Sequence, residues 1–345
     1  MEGNRITILL MCGMGALSLC VNAQRTPHSE PFVVDTLMAH DPVMAFEDGT
    51  YYLYATGHGI SMATSKDRKT WTVYPKGVLE RVPQWTCDSV PDFKGHIWAP
   101  DIIKWHDKWW MMYSCSSFGV NTSAIGVMSN VTLNPQADDY HWQDHGPVVV
   151  SHKQDNWNAI DPNIVIDDND KPWVVWGSFW DGIQMAPLDE TMHILSGYKS
   201  QTIARRYAPG CEPDEPNPTS KFAGPNAIEA PFIFKHNGMY YLFVAWDYCC
   251  RGSLSNYRVA VGRSLSVSGP YQDRSGKDMR LGGGEIFIEG DKTEFEALGH
   301  CSVYNFDGED WFFCHGYSVS KNGAPLLVQR KIAWTADGWP VVANQ

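Results

Sequence analysis

A hairpin-like unit recurs five times along this 345-residue chain, and no other feature constrains its fold as strongly. The clearest copy reads NAIEAPFIFKHNGMYYLFVAW from Asn226, in which two apolar runs flank the turn residues HNG. Such a pattern is typical of a β-hairpin. Related units begin at His40, Trp98, Ile160 and Gly299. A fixed unit repeated along a chain is the signature of a repeat architecture.

The spacing of these units predicts the architecture. If their starting positions are equivalent, the steps between them are 58, 62, 68 and 71 residues, for Asp41, Ala99, Asp161, Glu229 and His300. A third strand-like run follows each hairpin, as in GISMATS from Gly59, and several units add a fourth, such as WTVY at Trp71. Five units of about four strands predict an all-β, five-bladed β-propeller. A β-sandwich is the alternative, although its strands would not recur at this spacing.

Three of the starting positions carry an acid, namely Asp41, Asp161 and Glu229, and a fourth carries His300. Taken singly, an aspartate before proline is often a turn residue. In a propeller, however, the first strand of each blade lines the central channel, so equivalent positions should meet at one mouth. Carboxylates gathered at a cleft are suited to acid–base hydrolysis of a glycosidic bond.

Residues 1–23 have the character of an export signal. Arg5 precedes an apolar run of 16 residues, and small residues lead to a predicted cleavage site after Ala23. A membrane anchor is an alternative, but the run is short for a span. Attachment of a lipid at Cys20 is another alternative to cleavage after Ala23. We predict a mature chain, 24–345, that forms a single propeller and is secreted or periplasmic.

Composition narrows the choice of ligands. The formal net charge of −12 argues against nucleic acids and other polyanions and suits a neutral or cationic substrate. With 43% hydrophobic and 19% charged residues, the chain can bury a large core. The 15 Trp, 15 Tyr and 14 Phe favour strands and can stack on sugars. No segment after the signal is apolar and long enough to cross a bilayer.

Seven of the nine cysteines lie beyond the signal, in a pattern unlike that of a zinc site. Cys115, Cys301 and Cys314 lie in strand-like runs and are predicted to be buried thiols. Adjacent Cys249 and Cys250 are not expected to pair with each other, because ordinary disulfide geometry needs more widely separated residues. One or two disulfides are compatible with export, but the sequence does not assign them.

Several motifs together carry a resemblance to a known family. They are HDP from His40, WAPD from Trp98, NAIDPN from Asn158, WGSFWDGI from Trp176, AIEAPFIFK with DYCCRG from Ala227, and GHCSV from Gly299. The chain resembles glycoside hydrolase family 43 from about Val34 to its end, and within that family it is most similar to endo-acting α-1,5-L-arabinanases. The fold of that family is a five-bladed propeller.

The resemblance implies an inverting mechanism with three acids. Asp41 would be the general base that activates water, and Glu229 the general acid that protonates the leaving oxygen. Asp161 would orient Glu229 and keep its pKa high, as a neighbouring like charge does. Inversion requires the base and the acid to stand about 6.5–9.5 Å apart. His300 would help to hold calcium or a similar ion in the channel, largely through waters; no organic cofactor is implied.

The resemblance also implies a set of contacts with the sugar chain, from Trp98, Phe118, Gly119, Asn158, Ser178, Phe179 and Trp180. Among these, Trp98 would stack on an arabinofuranose ring, and Phe118 with Gly119 would form one wall of the groove. These expectations rest on matched positions, whereas the acids also rest on the internal repeat.

The resulting prediction is an exported, monomeric glycoside hydrolase that cleaves internal α-1,5 links of plant cell-wall arabinan, with no nucleic-acid partner and no membrane association after signal removal. An exo-acting α-L-arabinofuranosidase or β-xylosidase on the same fold is the main alternative, because endo action needs an open groove and exo action a blocked one. The segment 205–225 before Glu229 could close one end. A non-catalytic carbohydrate-binding propeller is a third reading, but it should lack one of the acids, and none is missing.

Overall fold

The computed structural model describes residues 30–207 and 226–343, and the predicted signal at 1–23 lies outside these ranges. The described chain forms five antiparallel sheets in sequence order, which confirms the predicted five-bladed β-propeller. No helix within the described ranges is long and apolar enough to span a membrane.

Each sheet is one blade. Blade 1 contains β1 (Phe32–Val34), β2 (Val43–Glu47), β3 (Thr50–Ala55), β5 (Ser61–Ser65) and β6 (Trp71–Tyr74). Blade 2 contains β4 (Gly57–His58), β7 (His96–Trp105), β8 (Lys108–Cys115), β9 (Ser123–Asn130) and β10 (Gln143–Ser151). Blade 3 contains β11 (Asn163–Ile166), β12 (Pro172–Trp176), β13 (Ile183–Pro187) and β14 (Gln201–Ala204).

Blade 4 contains β15 (Ile228–His236), β16 (Met239–Trp246), β17 (Arg258–Ser264) and β18 (Glu285–Glu289). Blade 5 contains β19 (Phe295–Phe306), β20 (Glu309–Ser318), β21 (Ala324–Trp334) and β22 (Pro340–Val342). One short helix, α1 (Gln84–Ser89), and two 3₁₀ turns, Gly252–Leu254 and Met279–Leu281, complete the described elements.

The inner hairpins form because their turns suit the twist of the strands. In blade 4, His236 pairs with Met239 across Asn237 and Gly238, whose φ angles are 46° and 78°. Two consecutive positive φ angles define the two-residue turn that matches right-handed strand twist, and asparagine followed by glycine favours it. The Asp-Gly turns of blades 1 and 5 have the same geometry, with positive φ at Asp48 and Asp307.

The core lies between neighbouring blades. Alternate residues of a strand point to opposite faces, so the second strand of each blade serves two interfaces. In β8, Met111 packs toward blade 1 and Met112 toward blade 3; in β16, Leu242 packs toward blade 3 and Phe243 toward blade 5. Because both faces are covered, these strands are almost continuously apolar.

The inner strands close a ring around the axis. In order, β2 contacts β7, β7 contacts β11, β11 contacts β15, β15 contacts β19, and β19 returns to β2. The segment before β2 ties blade 1 to blade 5, since Leu327 N donates to Leu37 O at 2.9 Å and Ala39 N to Pro325 O at 3.3 Å. Residues that begin the five inner strands therefore face one another across the channel.

Each blade has one residue with positive φ near the start of its inner strand, between 37° and 57°: Asp41, Ala99, Asp161, Ala230 and His300. In every blade, the residue 15 positions later lies within the last four residues of the second strand or directly after it. The structural equivalent in blade 4 is therefore Ala230, and the sequence alignment that used Glu229 was wrong by one residue. A proline follows the positive-φ residue in blades 1 to 4, so aligning the repeats on Pro162 and Pro231 places Ala230 opposite Asp161.

The cysteines correct a second expectation. Cys115, Cys301 and Cys314 are buried free thiols, as predicted. Cys249 and Cys250, however, form a disulfide with each other. Cys250 adopts a positive φ of 62°, which differs from the extended conformation in which successive side chains point to opposite sides. Cys87 is also disulfide-bonded.

Candidate active site

Three acids converge at one end of the channel, and we refer to Asp41, Asp161 and Glu229 as the acid cluster. Each is buried, with 6 to 8% of its surface exposed. His300, from β19, carries a charge that acts on all three carboxylates. The structure thus brings together the four residues that the repeat singled out.

Asp41 is surrounded by donors and cations. His300 Nδ1 lies 3.0 Å from its Oδ1, His40 Nδ1 lies 2.9 Å from its Oδ2, and the Thr56 hydroxyl donates to Oδ2. Burial by itself would raise the pKa of Asp41, but the positive charge of His300 and the interactions with His40 outweigh it and hold the pKa well below its usual value. Asp41 is therefore an ionised carboxylate at neutral pH.

Glu229 has two hydroxyl partners. Tyr257 donates to Oε1 at 2.6 Å, and Ser178 donates to Oε2 at 2.7 Å. Ser178 reaches the acid because its segment runs beside β15, where Phe179 N donates to Ile228 O at 2.8 Å. Burial raises the pKa of Glu229 and the charge of Asp41 adds to this, while the two hydroxyl groups and His300 oppose it. Glu229 therefore holds a proton more readily than an ordinary glutamate.

Asp161 is linked by a hydrogen bond to the residue that follows Glu229 in the chain. Its Oδ2 accepts the backbone N–H of Ala230 at 3.2 Å. Burial, with the charges of Glu229 and Asp41, raises the pKa of Asp161 to about 8, although His300 opposes this rise. Two buried acids that repel each other share a proton at neutral pH. Asp161 and Glu229 thus differ from Asp41, which stays ionised.

The neighbours of His300 decide its charge. Burial lowers the pKa of the imidazole, but Asp41 and the other two acids more than compensate and raise it to about 9. His300 is therefore positively charged at neutral pH. It balances part of the negative charge of the acid cluster, which explains how three carboxyl groups can lie together in a buried site.

Among the residues expected to contact sugar, several are exposed or half-buried. Phe118 is 79% exposed, and Gly119 next to it has a φ of 79° with open space at its Cβ position. Trp98 is half-buried, and its Nε1 donates to His96 at 3.1 Å. Phe179 is half-buried, with its ring 5.7 Å from that of Tyr248.

The other three expected contact residues are buried and already bonded within the protein. Asn158 is 3% exposed, and its Oδ1 accepts the Ser123 hydroxyl at 2.7 Å. Trp180 is 2% exposed, and its carbonyl accepts the Asn226 amide at 2.7 Å. Ser178 bonds to Glu229, as described above. The structure therefore places Ser178 against Glu229 itself, a contact that the sequence did not suggest.

Sequence reasoning missed a set of polar residues at the second-strand ends. Thr56, Ser114 and His315 each follow their blade's first-strand position by 15 residues and accept the backbone N–H that begins the next inner strand. The bonds run from Ala99 to Thr56 at 2.8 Å, from Asp161 to Ser114 at 3.0 Å, and from Asp41 to His315 at 3.1 Å. The sequence did contain a signal for these residues, since each is a polar residue near the end of a second strand that is rich in aromatic residues. Tyr257 had no comparable signal.

The sequence model described as "Glycosyl hydrolases family 43" matches residues 32–340. The chain belongs to this family. The match spans all five blades and includes the acid cluster and His300.

Two curated relatives cover most of the chain. The extracellular exo-α-(1→5)-L-arabinofuranosidase of Cellvibrio japonicus is 42% identical over 305 residues, which is 88% of this chain and 86% of the relative. The extracellular endo-α-(1→5)-L-arabinanase 1 of Bacillus subtilis is 36% identical over 307 residues, which is 88% of this chain and 87% of the relative.

A solved structure is similar to this chain in both fold and sequence. The crystal structure of an exo-1,5-α-L-arabinanase from a bovine ruminal metagenomic library superposes with a TM-score of 0.83 and 50% sequence identity. The superposition covers 90% of this chain and 98% of that one. The likeness therefore extends over nearly the whole propeller.

Proposed function

We propose that this protein is an exported glycoside hydrolase that cleaves internal α-1,5-L-arabinofuranosidic bonds of arabinan. The observation that carries the proposal is that the three acids of the cluster differ in the direction of their pKa shifts, in a chain that belongs to this family. Asp41 has a lowered pKa, whereas Asp161 and Glu229 have raised ones. A pair of acids whose environments push their pKa values apart is what general acid–base catalysis requires.

In the proposed mechanism, ionised Asp41 takes a proton from a water molecule as the water oxygen attacks the anomeric carbon. Protonated Glu229 gives its proton to the oxygen of the leaving sugar. Asp161 accepts the backbone N–H of Ala230, next to Glu229, and shares a proton with Glu229 at neutral pH. The reaction proceeds from the state in which Glu229 holds that proton, which the charge of Asp41 favours. A single displacement by water inverts the anomeric configuration, so the first product would be a β-L-arabinofuranose end.

Two hydroxyl groups prepare Glu229 for this role. Tyr257 and Ser178 each donate to a different oxygen of the carboxyl group, so they fix its plane. After proton transfer, the same donors stabilise the carboxylate that remains. The enzyme would thereby hold the acid in one orientation before and after the bond breaks.

A calcium-like ion at His300 is part of the proposal. His300 Nδ1 lies beside Asp41, which leaves Nε2 to face an ion, as is common for histidines that ligate metals. Calcium takes about six to eight oxygen ligands, so a single imidazole fits an ion held mostly through water. When bound, the ion would supply positive charge to the acid cluster. Its binding would require His300 to lose its own proton.

The remaining parts of the proposal concern the surroundings of the enzyme. Removal of residues 1–23 would release a monomer that works outside the cytoplasm, and both curated relatives described above are named extracellular. Trp98, Phe118, Gly119, Asn158, Phe179 and Trp180 are proposed contacts for the arabinan chain. The acidic net charge speaks against nucleic-acid partners.

Product sizing on linear arabinan tests the proposal. Endo action predicts a ladder of oligosaccharides early in the reaction, and ¹H NMR of fresh product should show the inverted anomer first. Glu229→Gln and Asp41→Asn should each abolish most of the activity. Wild-type-like release of reducing ends by either variant would refute the assigned roles.

Exo action is the second candidate, and a specific observation favours it. The relative at 42% identity and the solved structure at 50% identity are both named exo-acting. Exo cleavage predicts one small product from the first minutes onward, with slow loss of polymer viscosity. The same experiment therefore separates the two modes.

A further inference from the structure

The turn after β16 carries an unusual feature beside the acid cluster. Cys249 and Cys250 are bonded to each other, and Cys250 has a positive φ of 62°. This turn lies on the path from Glu229 in β15 to Tyr257, which directly precedes β17. Neither cysteine takes part in the mechanism above.

One side of the turn leads to the general base. The Cys250 N–H donates to the Tyr317 hydroxyl oxygen at 2.7 Å. The Tyr317 hydroxyl lies 3.0 Å from His40 Nε2, and His40 Nδ1 lies 2.9 Å from Asp41 Oδ2. The Tyr317 hydroxyl can donate to His40 Nε2 at 3.0 Å or to Cys250 Sγ at 4.0 Å, and the much shorter contact assigns its proton to His40.

This direction assigns the tautomer of His40. If Nε2 accepts from Tyr317, then a neutral His40 carries its proton on Nδ1, the nitrogen that faces Asp41. The ring is also held from one face, since it stacks on His315 with the ring centres 3.9 Å apart. The orientation of His40, and with it the 2.9 Å approach of Nδ1 to Asp41 Oδ2, therefore depends on Tyr317.

The other side of the turn leads to the general acid. Cys249 packs against a small apolar cluster that contains both Tyr257 and Tyr317. Tyr257 donates to Glu229 at 2.6 Å, and Tyr317 is 2% exposed. The same turn thus contacts Tyr257, which bonds to Glu229, and Tyr317, which reaches Asp41 through His40.

We propose that the Cys249–Cys250 disulfide is a positioning element of the active site, which holds Tyr317 and Tyr257 so that His40 and Glu229 keep their orientations. A covalent link between adjacent residues restricts the backbone of the turn, so the Cys250 N–H stays aimed at Tyr317. This inference rests on the proposed function for the roles of Asp41 and Glu229. The contacts of Tyr317 with Cys250 and His40 do not depend on that function.

The central experiment is a double-mutant cycle between the disulfide and the tyrosine hydroxyl. The variants are Cys249→Ser with Cys250→Ser, Tyr317→Phe, and the combination of all three. Loss of one positioning hydrogen bond should lower kcat on linear arabinan about 3- to 10-fold in each of the first two. KM should change little, because the residues touch the acids rather than the sugar.

If the disulfide acts through Tyr317, the combined variant should lose little more than the worse of the two. Effects on kcat that multiply would overturn the proposal. So would a disulfide-free variant with wild-type kcat, or peptide mapping that finds free thiols at both positions of the native protein. Tyr271→Phe is the matched control, since it removes a buried hydroxyl that bonds to Val267 O at 2.6 Å, away from the acids.

A second readout is independent of catalysis. Long-range ¹H–¹⁵N NMR spectra report the tautomer of His40, which should carry its proton on Nδ1 in the wild type and lose that preference in both variants. If the wild type fails to cleave arabinan, the proposed function falls, and the NMR result alone decides the positioning role. Unchanged His40 signals in the disulfide-free protein would refute it.

Discussion

Gly299 offers a sharp test of how closely the acid cluster depends on Tyr257. Gly299 belongs to β19, in the blade that packs against blade 4, which carries Glu229. A Cβ atom added at Gly299 would lie 1.9 Å from Tyr257 Cδ1 and 2.3 Å from its Cε1. Tyr257 is 1% exposed, so its ring has no free space to enter. We therefore consider the substitution Gly299→Ala.

The structure gives the size of the effect. Carbon atoms in contact stand about 3.5–4.0 Å apart, so the Tyr257 ring would have to move by roughly 1.6 Å or more. The hydroxyl bond to Glu229, at 2.6 Å, does not survive such a shift. Overpacking costs about 1–3 kcal/mol, and a lost hydrogen bond to a carboxyl group costs about 1.5–3 kcal/mol. A displacement of this size beside the proposed catalytic acid, Glu229, should lower kcat about 100-fold.

The assay combines urea unfolding with kcat on linear arabinan. Gly308→Ala is the control, because its Cβ position has nothing within 4 Å although its φ is 81°. That variant should cost about 1 kcal/mol of stability through backbone strain alone and keep wild-type kcat. A folded Gly299→Ala protein whose kcat stays within about twofold of wild type would refute the reasoning.

Three further predictions concern the acids themselves. Glu229→Gln should lower kcat by about 100- to 10,000-fold, because it removes the proposed proton donor, and kcat at saturating arabinan measures this. Tyr257→Phe should raise the pKa of Glu229, because the hydroxyl group that is removed stabilises the carboxylate. The alkaline limb of the kcat/KM profile should therefore move to higher pH. An unmoved limb would contradict the assignment. Asp161→Asn should become more stable relative to wild type as pH rises. The folded-state pKa of Asp161 is about 8, above its ordinary value of 3.8, so its contribution to stability is present below pH 3.8 and lost as pH rises through 8. Urea unfolding at pH 5 and pH 9 checks this, and an equal difference at both pH values would contradict it.

Much of the propeller follows from the sequence because its units are local. Each inner hairpin combines two apolar runs with a short turn such as Asn237-Gly238, and these signals lie within about 20 residues. The repeat then implies that the units pack in the same way. Asp41, Asp161 and Glu229 could be identified on this basis, since the first strands of all blades meet at one channel.

The tertiary structure decided what the repeat could not. Ala230, rather than Glu229, is the structural equivalent of Asp161, and Glu229 instead meets hydroxyl donors from two other segments. Ser178 reaches Glu229 from a position 51 residues earlier, and His315 receives the N–H of Asp41 from 274 residues away. Adjacent cysteines pair because the turn gives Cys250 a positive φ. Local patterns determine the blades, but these contacts exist only after the ring closes, because their partners are brought together by packing between blades and not by any regular spacing in the chain.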